Sequence, residues 1–544
     1  MTVSTALHAA LLAELCAVGG RCQAATTGFS DEQAAQGVAL ADELRAIFLA
    51  RLASSAASTP GYPAAATLLQ ILPSELLAVI LSTLDTRSLA CLAATCLPLW
   101  LDAPTPASGP RDIGPVEAEL RQRDGARGLE VGSSLPEGST SWVSCLLKRG
   151  RRDAQKRQAP LAAGMRCSIF VDAGGRLLTC GWNGDGVQLL GHAVDPDANV
   201  YIEIGSPTPV PTMQDKRIVS IAASDEHCLA LSAEGEVYSW GDGTGGSLGH
   251  ADGGARAVPS RIESLSRIES IAAGTGLTSA AVDEDGKLFT WGRARFGLVE
   301  TMPNGLGYAL DSQIESQLTP KSVEALSEDR VVGVALGWSF TLAVTDAGAV
   351  FSFGYNEEGV LGHGSLEAEA LPRRIEALAQ TGRRYVPVAA GESHALALTE
   401  EGELYGWGHA CANGHGRDER TPCRVAALIG ERVKLMDTGC DASCAVTEKG
   451  ELFTWSQDGS LFILGHGVDE PQATPKRVEG LGEARIAAVS MCRFSSLVAD
   501  EDGVVWAFGP GSGLSLDDPN PDHVEFVKTP TPIPTLQVRA LKSP

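Results

Sequence analysis

The sequence predicts a mainly β protein, a seven-bladed β-propeller that is preceded by a small all-α module. Three observations support this fold class. A segment with the pattern of a β-hairpin occurs seven times in the C-terminal two thirds of the chain. Glycine is abundant, at 61 of 544 residues, which is typical of a chain with many tight turns. One N-terminal stretch instead places its apolar residues at helical spacing.

Each repeat consists of a small residue and Gly, an apolar strand, an acidic-x-Gly turn and a second strand that usually ends in an aromatic residue. Gly supplies the positive φ that such a tight turn requires. The turn glycines, spaced roughly 50 to 60 residues apart, are Gly175, Gly235, Gly286, Gly348, Gly402, Gly450 and Gly503. A single hairpin cannot bury both of its faces, and radial stacking of such units leaves only short, protected edges. Seven units therefore predict seven blades.

A second recurring element, rich in Pro, follows each hairpin and is predicted to start an outer strand. Its copies are 206–213, 257–265, 318–326, 371–378, 421–428 and 474–481, with another at 528–537 after the last hairpin. No copy precedes the first hairpin. We therefore expect residues 528–537 to complete the first blade, which would close the ring and protect its two open edges.

The repeats, most clearly AGESHALALTEEGELYGWG at 390–408, resemble those of the regulator of chromosome condensation. The resemblance covers about 380 residues, and it implies a propeller of this type over 159–544. The His that is usual at the fifth position of this motif is present only at His227 and His394. We expect these two residues to be structural. The founding member of the family is a nucleotide exchange factor for the GTPase Ran, so the resemblance also implies exchange activity as an alternative function.

Before the propeller we predict an N-terminal helical segment at 1–67 and a helical module at 68–101. Apolar residues in 72–100 recur at the spacing of two short helices, with Pro73 at a helix start. One interpretation is a helical hairpin that packs on neighbouring helices at 5–17 and 31–53. The alternative is a module that exposes its apolar face to a partner helix.

The stretch 72–100 also resembles an F-box, the module that docks on the Skp linker subunit of cullin-RING ubiquitin ligases. Glu75 and Cys96 match the F-box pattern. The other matching positions, which the resemblance assigns to Skp binding, are Leu72, Pro73, Leu76, Ile80, Leu81, Leu84, Leu89, Leu92 and Trp100. The ending after Cys96, LPLW, departs from the usual pattern.

Residues 102–158 are predicted to be a linker and a basic connecting helix. Six basic residues lie between Lys148 and Arg157. This stretch could serve as a nuclear import signal or a nucleic-acid contact, or it could be a helix that shows its basic side to water or to the acidic propeller.

Charge and cysteine content restrict the class of partner. The net charge is −24, and residues 160–544 hold 29 Lys and Arg against 52 Asp and Glu. Such an acidic domain repels phosphate backbones, so DNA is disfavoured as a partner. The 13 irregularly spaced cysteines indicate reduced thiols. With no long apolar run or secretory signal in the sequence, we expect a soluble, monomeric protein of the cytoplasm or nucleus with no membrane contact.

No nucleophile with a base, phosphate-binding loop or specific metal motif is recognisable. His409, Cys411, His415 and Cys423 are possible zinc ligands, but their Cys-x3-His spacing lies in an ordinary blade loop, which is the preferred interpretation. Trp240, Trp291, Trp338, Trp407 and Trp455 are all predicted to pack between blades. We therefore expect a protein without enzymatic activity, cofactor or metal.

Together the two resemblances imply a substrate-recognition adaptor of a cullin-RING ubiquitin ligase. The F-box would dock on Skp and the cullin, and the propeller would bind an unknown target protein. Two alternatives remain open: an exchange factor for a Ran-like small GTPase, and a non-catalytic interaction scaffold.

Overall fold

The computed structural model describes residues 160–183, 188–192, 202–293, 305–309, 315–457, 463–468, 470–509 and 527–538. The described strands lie within one compact unit, Lys156–Ser543. They form seven antiparallel sheets of four strands each, and within each sheet the strands pair in chain order. The predicted seven-bladed propeller is confirmed.

The first four blades, each given from its innermost to its outermost strand, are β1 (Leu161–Ala163), β2 (Cys167–Val171), β3 (Leu177–Asn183) and β4 (Ile202–Pro209); β5 (Ile218–Ala223), β6 (His227–Ser232), β7 (Val237–Gly241) and β8 (Arg256–Arg261); β9 (Ile268–Gly274), β10 (Thr278–Asp283), β11 (Leu288–Arg293) and β12 (Ser316–Ser322); and β13 (Val331–Leu336), β14 (Phe340–Thr345), β15 (Val350–Gly354) and β16 (Glu369–Arg374).

The last three blades are β17 (Tyr385–Ala390), β18 (His394–Thr399), β19 (Leu404–Gly408) and β20 (Glu419–Arg424); β21 (Val433–Thr438), β22 (Ser443–Thr447), β23 (Leu452–Ser456) and β24 (Gln472–Arg477); and β25 (Ile486–Met491), β26 (Ser496–Asp500), β27 (Val504–Gly509) and β28 (Val527–Gln537). A four-residue helix, α1 (Glu376–Ala379), connects the fourth blade to the fifth. Each innermost strand contacts that of the next blade, and β25 contacts β1, so the ring is closed around a central channel.

The hairpin turns follow the prediction. All seven turn glycines have positive φ, from 77° at Gly348 to 88° at Gly503. Each turn also receives a hydrogen bond from the next blade, because the first residue of the following innermost strand donates its N–H to the turn carbonyl. Val331, for example, donates to Gly286 O at 2.9 Å. The turns therefore link neighbouring blades as well as reversing the chain.

Apolar side chains between adjacent blades form the core. Four of the predicted inter-blade tryptophans are fully buried, and each donates its indole N–H to a carbonyl of the preceding blade. These bonds are Trp240 to Leu189 (2.8 Å), Trp291 to Ser247 (2.8 Å), Trp407 to Val360 (2.6 Å) and Trp455 to Ala412 (2.7 Å). The fifth prediction is wrong: Trp338 lies at a loop tip and is 36% exposed.

The Pro-rich elements do form outermost strands, but their Pro lies within the strand and not at its start. In the second blade, Pro259 is inside β8, where the pairing register with β7 shifts between Ser239 and Gly241. Such an irregularity on an outer strand tolerates a residue without an N–H donor.

The expectation that residues 528–537 complete the first blade is wrong. They belong to β28, which pairs with β27 as the outer strand of the seventh blade. The reason is that each Pro-rich element pairs with the hairpin that precedes it, and by that rule the seven hairpins already have seven outer strands.

Ring closure nevertheless involves the C-terminal segment, through the residue that follows β28. Val538 forms an antiparallel bridge with Asp172 of the first blade and donates its N–H to Gly503 O at 3.0 Å. Ile218, Ile268 and Val331 make the equivalent pair of contacts at the start of β5, β9 and β13. Val538 thus supplies the first position of the innermost strand of the first blade, and Leu161–Ala163 supplies the rest.

Candidate functional site

Seven loops meet at one end of the channel, which we call the upper face; each connects the first and second strands of a blade. They approach closely because small residues occupy the last position before each tip: Gly164, Ser224, Gly274, Gly337, Gly391, Gly439 and Cys492. A Cβ added to Gly337 would lie 2.7 Å from Gly391 O, and one added to Gly391 would lie 2.9 Å from Gly439 O. Neighbouring loops are therefore in backbone contact.

The residue after each of these small residues belongs to what we call the loop-tip cluster: Met165, Asp225, Thr275, Trp338, Glu392, Cys440 and Arg493. Arg493 connects three blades. Its Nη2 donates to Glu392 Oε2 at 2.6 Å, and its Nε lies 3.7 Å from Asp225 Oδ2. The cluster joins loops that are 101 to 268 residues apart in sequence.

Burial governs the protonation of this cluster. It raises the pKa of Asp225; Arg493 opposes the shift, and Glu226 and Glu392 add to it. Burial also raises the pKa of the Cys440 thiol, with a further contribution from Asp225. A thiol held in its protonated form is a poor nucleophile. Cys440 is therefore not an activated nucleophile.

The upper-face charges of the first three blades compensate one another. Burial and Asp242 raise the pKa of Glu226, while Arg293 and Arg166 lower it. The Arg166 guanidinium also lies 4.6 Å from the ring centroid of Trp182.

The fourth blade presents what we call the aromatic patch, formed by Trp338, Tyr355, Glu357 and Glu358. The two rings meet edge to face, with centroids 6.3 Å apart. Burial raises the pKa of Tyr355 to about 12, and a hydrogen bond with Glu357 adds to the shift. Asn356 fixes the loop, because its side chain donates to Ser365 O and Glu367 O and accepts from Leu361 N.

The two motif histidines are structural, as predicted, and each contacts the next blade. His227 Nε2 lies 2.8 Å from Ser279 Oγ in the next blade, and His394 Nε2 lies 2.7 Å from Ser443 Oγ. Both rings are fully buried, which lowers the pKa of His227 to about 4 and that of His394 to about 3. They are neutral structural residues.

The possible zinc ligands do not come together. His415 Nε2 lies 3.2 Å from Cys423 O and 3.3 Å from Gly406 O, both backbone carbonyls. Cys411 is buried and His409 is exposed. Across the described ranges, no group of three or more His, Cys, Asp or Glu could hold a metal ion.

The predicted Skp-binding residues, from Leu72 to Trp100, lie outside the described residues, as does the basic stretch 148–157. Within the part that is described, no helix is long and apolar enough to cross a membrane.

Sequence reasoning missed the loop-tip cluster. Its residues differ in every repeat, so they do not form a motif that could be recognised. A signal was nevertheless present, because each one follows the small residue that begins a repeat.

Comparison with known proteins agrees with the fold. The sequence model of the RCC1-like domain family matches residues 128–455. The chain is 32% identical over 375 residues to the ultraviolet-B receptor UVR8 of Arabidopsis thaliana, a match that covers 65% of this chain and 80% of UVR8. It is 36% identical over 347 residues to human E3 ubiquitin-protein ligase HERC2, covering 62% of this chain but only 7% of HERC2.

Solved structures show the same architecture. Prp20p of Saccharomyces cerevisiae superposes with a TM-score of 0.56 at 21% identity, covering 70% of this chain and 89% of Prp20p. Human WBSCR16 superposes with a TM-score of 0.50 at 23% identity, covering 61% and 83% of the two chains.

Proposed function

Because the chain belongs to the RCC1-like domain family, we propose that it is a substrate-recognition adaptor of a cullin-RING ubiquitin ligase, acting in the cytoplasm or nucleus without catalytic activity of its own. In this proposal the upper face of the propeller holds the protein to be ubiquitinated. The F-box-like residues 72–100 dock on the Skp linker.

The observation that carries the proposal is the loop-tip cluster. It brings charged and aromatic side chains from different blades onto one surface, as Arg493 does by contacting Asp225 and Glu392. Non-contiguous loops on a rigid scaffold are a common basis of protein recognition. The relationship to HERC2, a ubiquitin-protein ligase, is consistent with such a role.

The docking half of the proposal is tested by co-purification of the full chain with a Skp linker and a cullin. We expect wild type to recover both, and Leu76→Asp/Ile80→Asp to recover neither. An intact urea unfolding transition of the propeller would show that the variant remains folded. Failure of the folded wild type to recover Skp would overturn the adaptor role and leave the exchange factor and the interaction scaffold.

The second candidate is nucleotide exchange on a Ran-like GTPase. Prp20p, whose structure has this fold, is described by its binding to Gsp1p and histones. A nucleotide-release assay with Ran discriminates the two. Catalysed release by the full chain would favour exchange, and release at the spontaneous rate would exclude it for this GTPase.

A further inference from the structure

The aromatic patch carries two carboxylates whose charge is not compensated by an ion pair among the described residues. Glu357 and Glu358 are exposed, and among the described residues neither has an ion-pair partner. By contrast, Glu392 pairs with Arg493. Burial lowers the pKa of His363, in the same loop, to about 4, so this His adds no positive charge at neutral pH. The patch therefore carries net negative charge.

The patch also presents aromatic surface. Trp338 is one of the few large apolar side chains with appreciable exposure among the described residues, and Tyr355 packs against its ring. Aromatic faces attract cations through their quadrupole, and guanidinium groups also stack on them. Two carboxylates beside such a ring strengthen the preference for a cation.

An aromatic ring at the equivalent place in the first blade is in contact with an arginine side chain. Trp182 and Tyr355 are equivalent, because each follows a positive-φ Gly of the third strand, Gly181 or Gly354, and donates its N–H to the carbonyl of the residue before the second strand, Arg166 and Ser339 respectively. In the first blade, the Arg166 guanidinium lies 4.6 Å from the Trp182 ring centroid. In the fourth blade the equivalent residue is Ser339, whose hydroxyl carries no charge.

We propose that the aromatic patch binds an arginine side chain in a basic segment of the partner protein, in the position that Arg166 takes over Trp182. This inference rests on the proposed function, since it names the chemistry of the partner that the upper face holds. Glu357 and Glu358 contribute ion pairs to the guanidinium and to neighbouring basic residues. The acidic charge of the propeller adds long-range attraction.

The test uses the full chain and a fluorescent peptide, Gly-Arg-Gly-Arg-Gly, with fluorescence anisotropy at low salt. We expect a citrulline peptide, which keeps the shape but not the charge, to bind at least tenfold more weakly. Ser339→Arg would place the chain's own guanidinium over Tyr355 and should weaken binding of the arginine peptide at least tenfold. Ser393→Arg, at the equivalent position of the fifth blade, is the matched control and should bind as wild type does.

Charge is tested separately. Glu357→Gln/Glu358→Gln should weaken binding several-fold, whereas Glu376→Gln/Glu479→Gln, which removes two exposed carboxylates from inter-blade connections at the other end of the blades, should leave it unchanged. Equal binding of the arginine and citrulline peptides would overturn the proposal. So would equal binding by Ser339→Arg and Ser393→Arg. Because the assay contains no Skp or cullin, its outcome is independent of the adaptor test.

Discussion

Val538 pairs with Asp172 across the closure of the ring, so the innermost strand of the first blade is made from two ends of the propeller sequence. The Val538 side chain is 2% exposed and lies in one core cluster with Leu161, Phe170 and Leu497. Closure therefore rests on this bridge, on hydrogen bonds such as that from Ala163 N to Ser490 Oγ at 3.0 Å, and on the packing between the seventh and first blades.

Val538→Ala should destabilise the propeller by about 2 kcal/mol, because it removes buried methyl groups and leaves a cavity. Gln537→Ala, on the adjacent exposed residue, is the control and should change stability by less than about 0.5 kcal/mol. Urea unfolding measures both. Equal stabilities would mean that Val538 does not contribute to closure.

Gly286→Ala should be strongly destabilising, by about 3 kcal/mol or more, for two reasons. Its φ is 84°, and an added Cβ would lie 2.4 Å from Arg330 Cγ in the next blade. Gly382→Ala separates the two effects, since Gly382 has a φ of 67° and nothing within 4 Å of an added Cβ. We expect Gly382→Ala to lower stability by about 1 kcal/mol. A similar loss of stability at both sites would mean that the steric contact with Arg330 makes no contribution.

Stability should fall as the pH is lowered below 7, because His227 and His394 are buried in their neutral form. Their pKa values, about 4 and about 3, lie below the ordinary value near 6.5. Between these two sets of pKa values the unfolded chain binds more protons than the folded chain. Lowering the pH from 6.5 to 5 should therefore reduce the free energy of unfolding by about 2 kcal/mol per histidine.

Asp437 acts in the opposite direction. Burial raises its pKa to about 7, so the stability it contributes at low pH is lost as the pH rises through that value. Comparing wild type with His227→Gln/His394→Gln at each pH cancels this contribution. The free-energy difference between the two proteins should shrink from pH 7 to pH 5 and stay constant above pH 7.5. A difference that does not vary with pH would contradict the assignment.

Arg493 and Glu392 should show only modest coupling. Both side chains are partly exposed, at 36% and 29%, and solvent screens such pairs. A double-mutant cycle with Arg493→Ala and Glu392→Ala should give a coupling energy of about 1 kcal/mol or less. A value several times larger would mean that this contact is a main support of the fold.

The sequence predicts the blades well because each repeat contains its own local signals. Turn glycines such as Gly175 and buried tryptophans such as Trp240 occupy the same place in successive repeats, so periodicity reveals their roles. The sequence alone leads to the wrong blade for residues 528–537, because the position of a repeated element does not show which hairpin it pairs with. Strand pairing is a tertiary property that the order of elements leaves ambiguous.

The candidate site is harder to predict, because function lies in the positions where the repeats differ. Trp338 is in a position filled by Asp225 and Arg493 in other blades, and only the ring geometry brings these loops together. The sequence likewise does not show that Arg166 lies over Trp182 whereas Ser339 lies beside Tyr355, because these contacts form only in the folded chain.

The central claim, that the upper face is the protein-binding surface, is tested most directly by site-specific photo-crosslinking in cells. A photoreactive phenylalanine analogue at position 338 probes the upper face. The same analogue at position 429, where an exposed Ile lies in an inter-blade connection at the opposite end of the blades, is the control. We expect a protein partner to be captured from position 338, and the capture to be lost in the Ser339→Arg background. Crosslinks to a protein from position 429 alone would contradict the account.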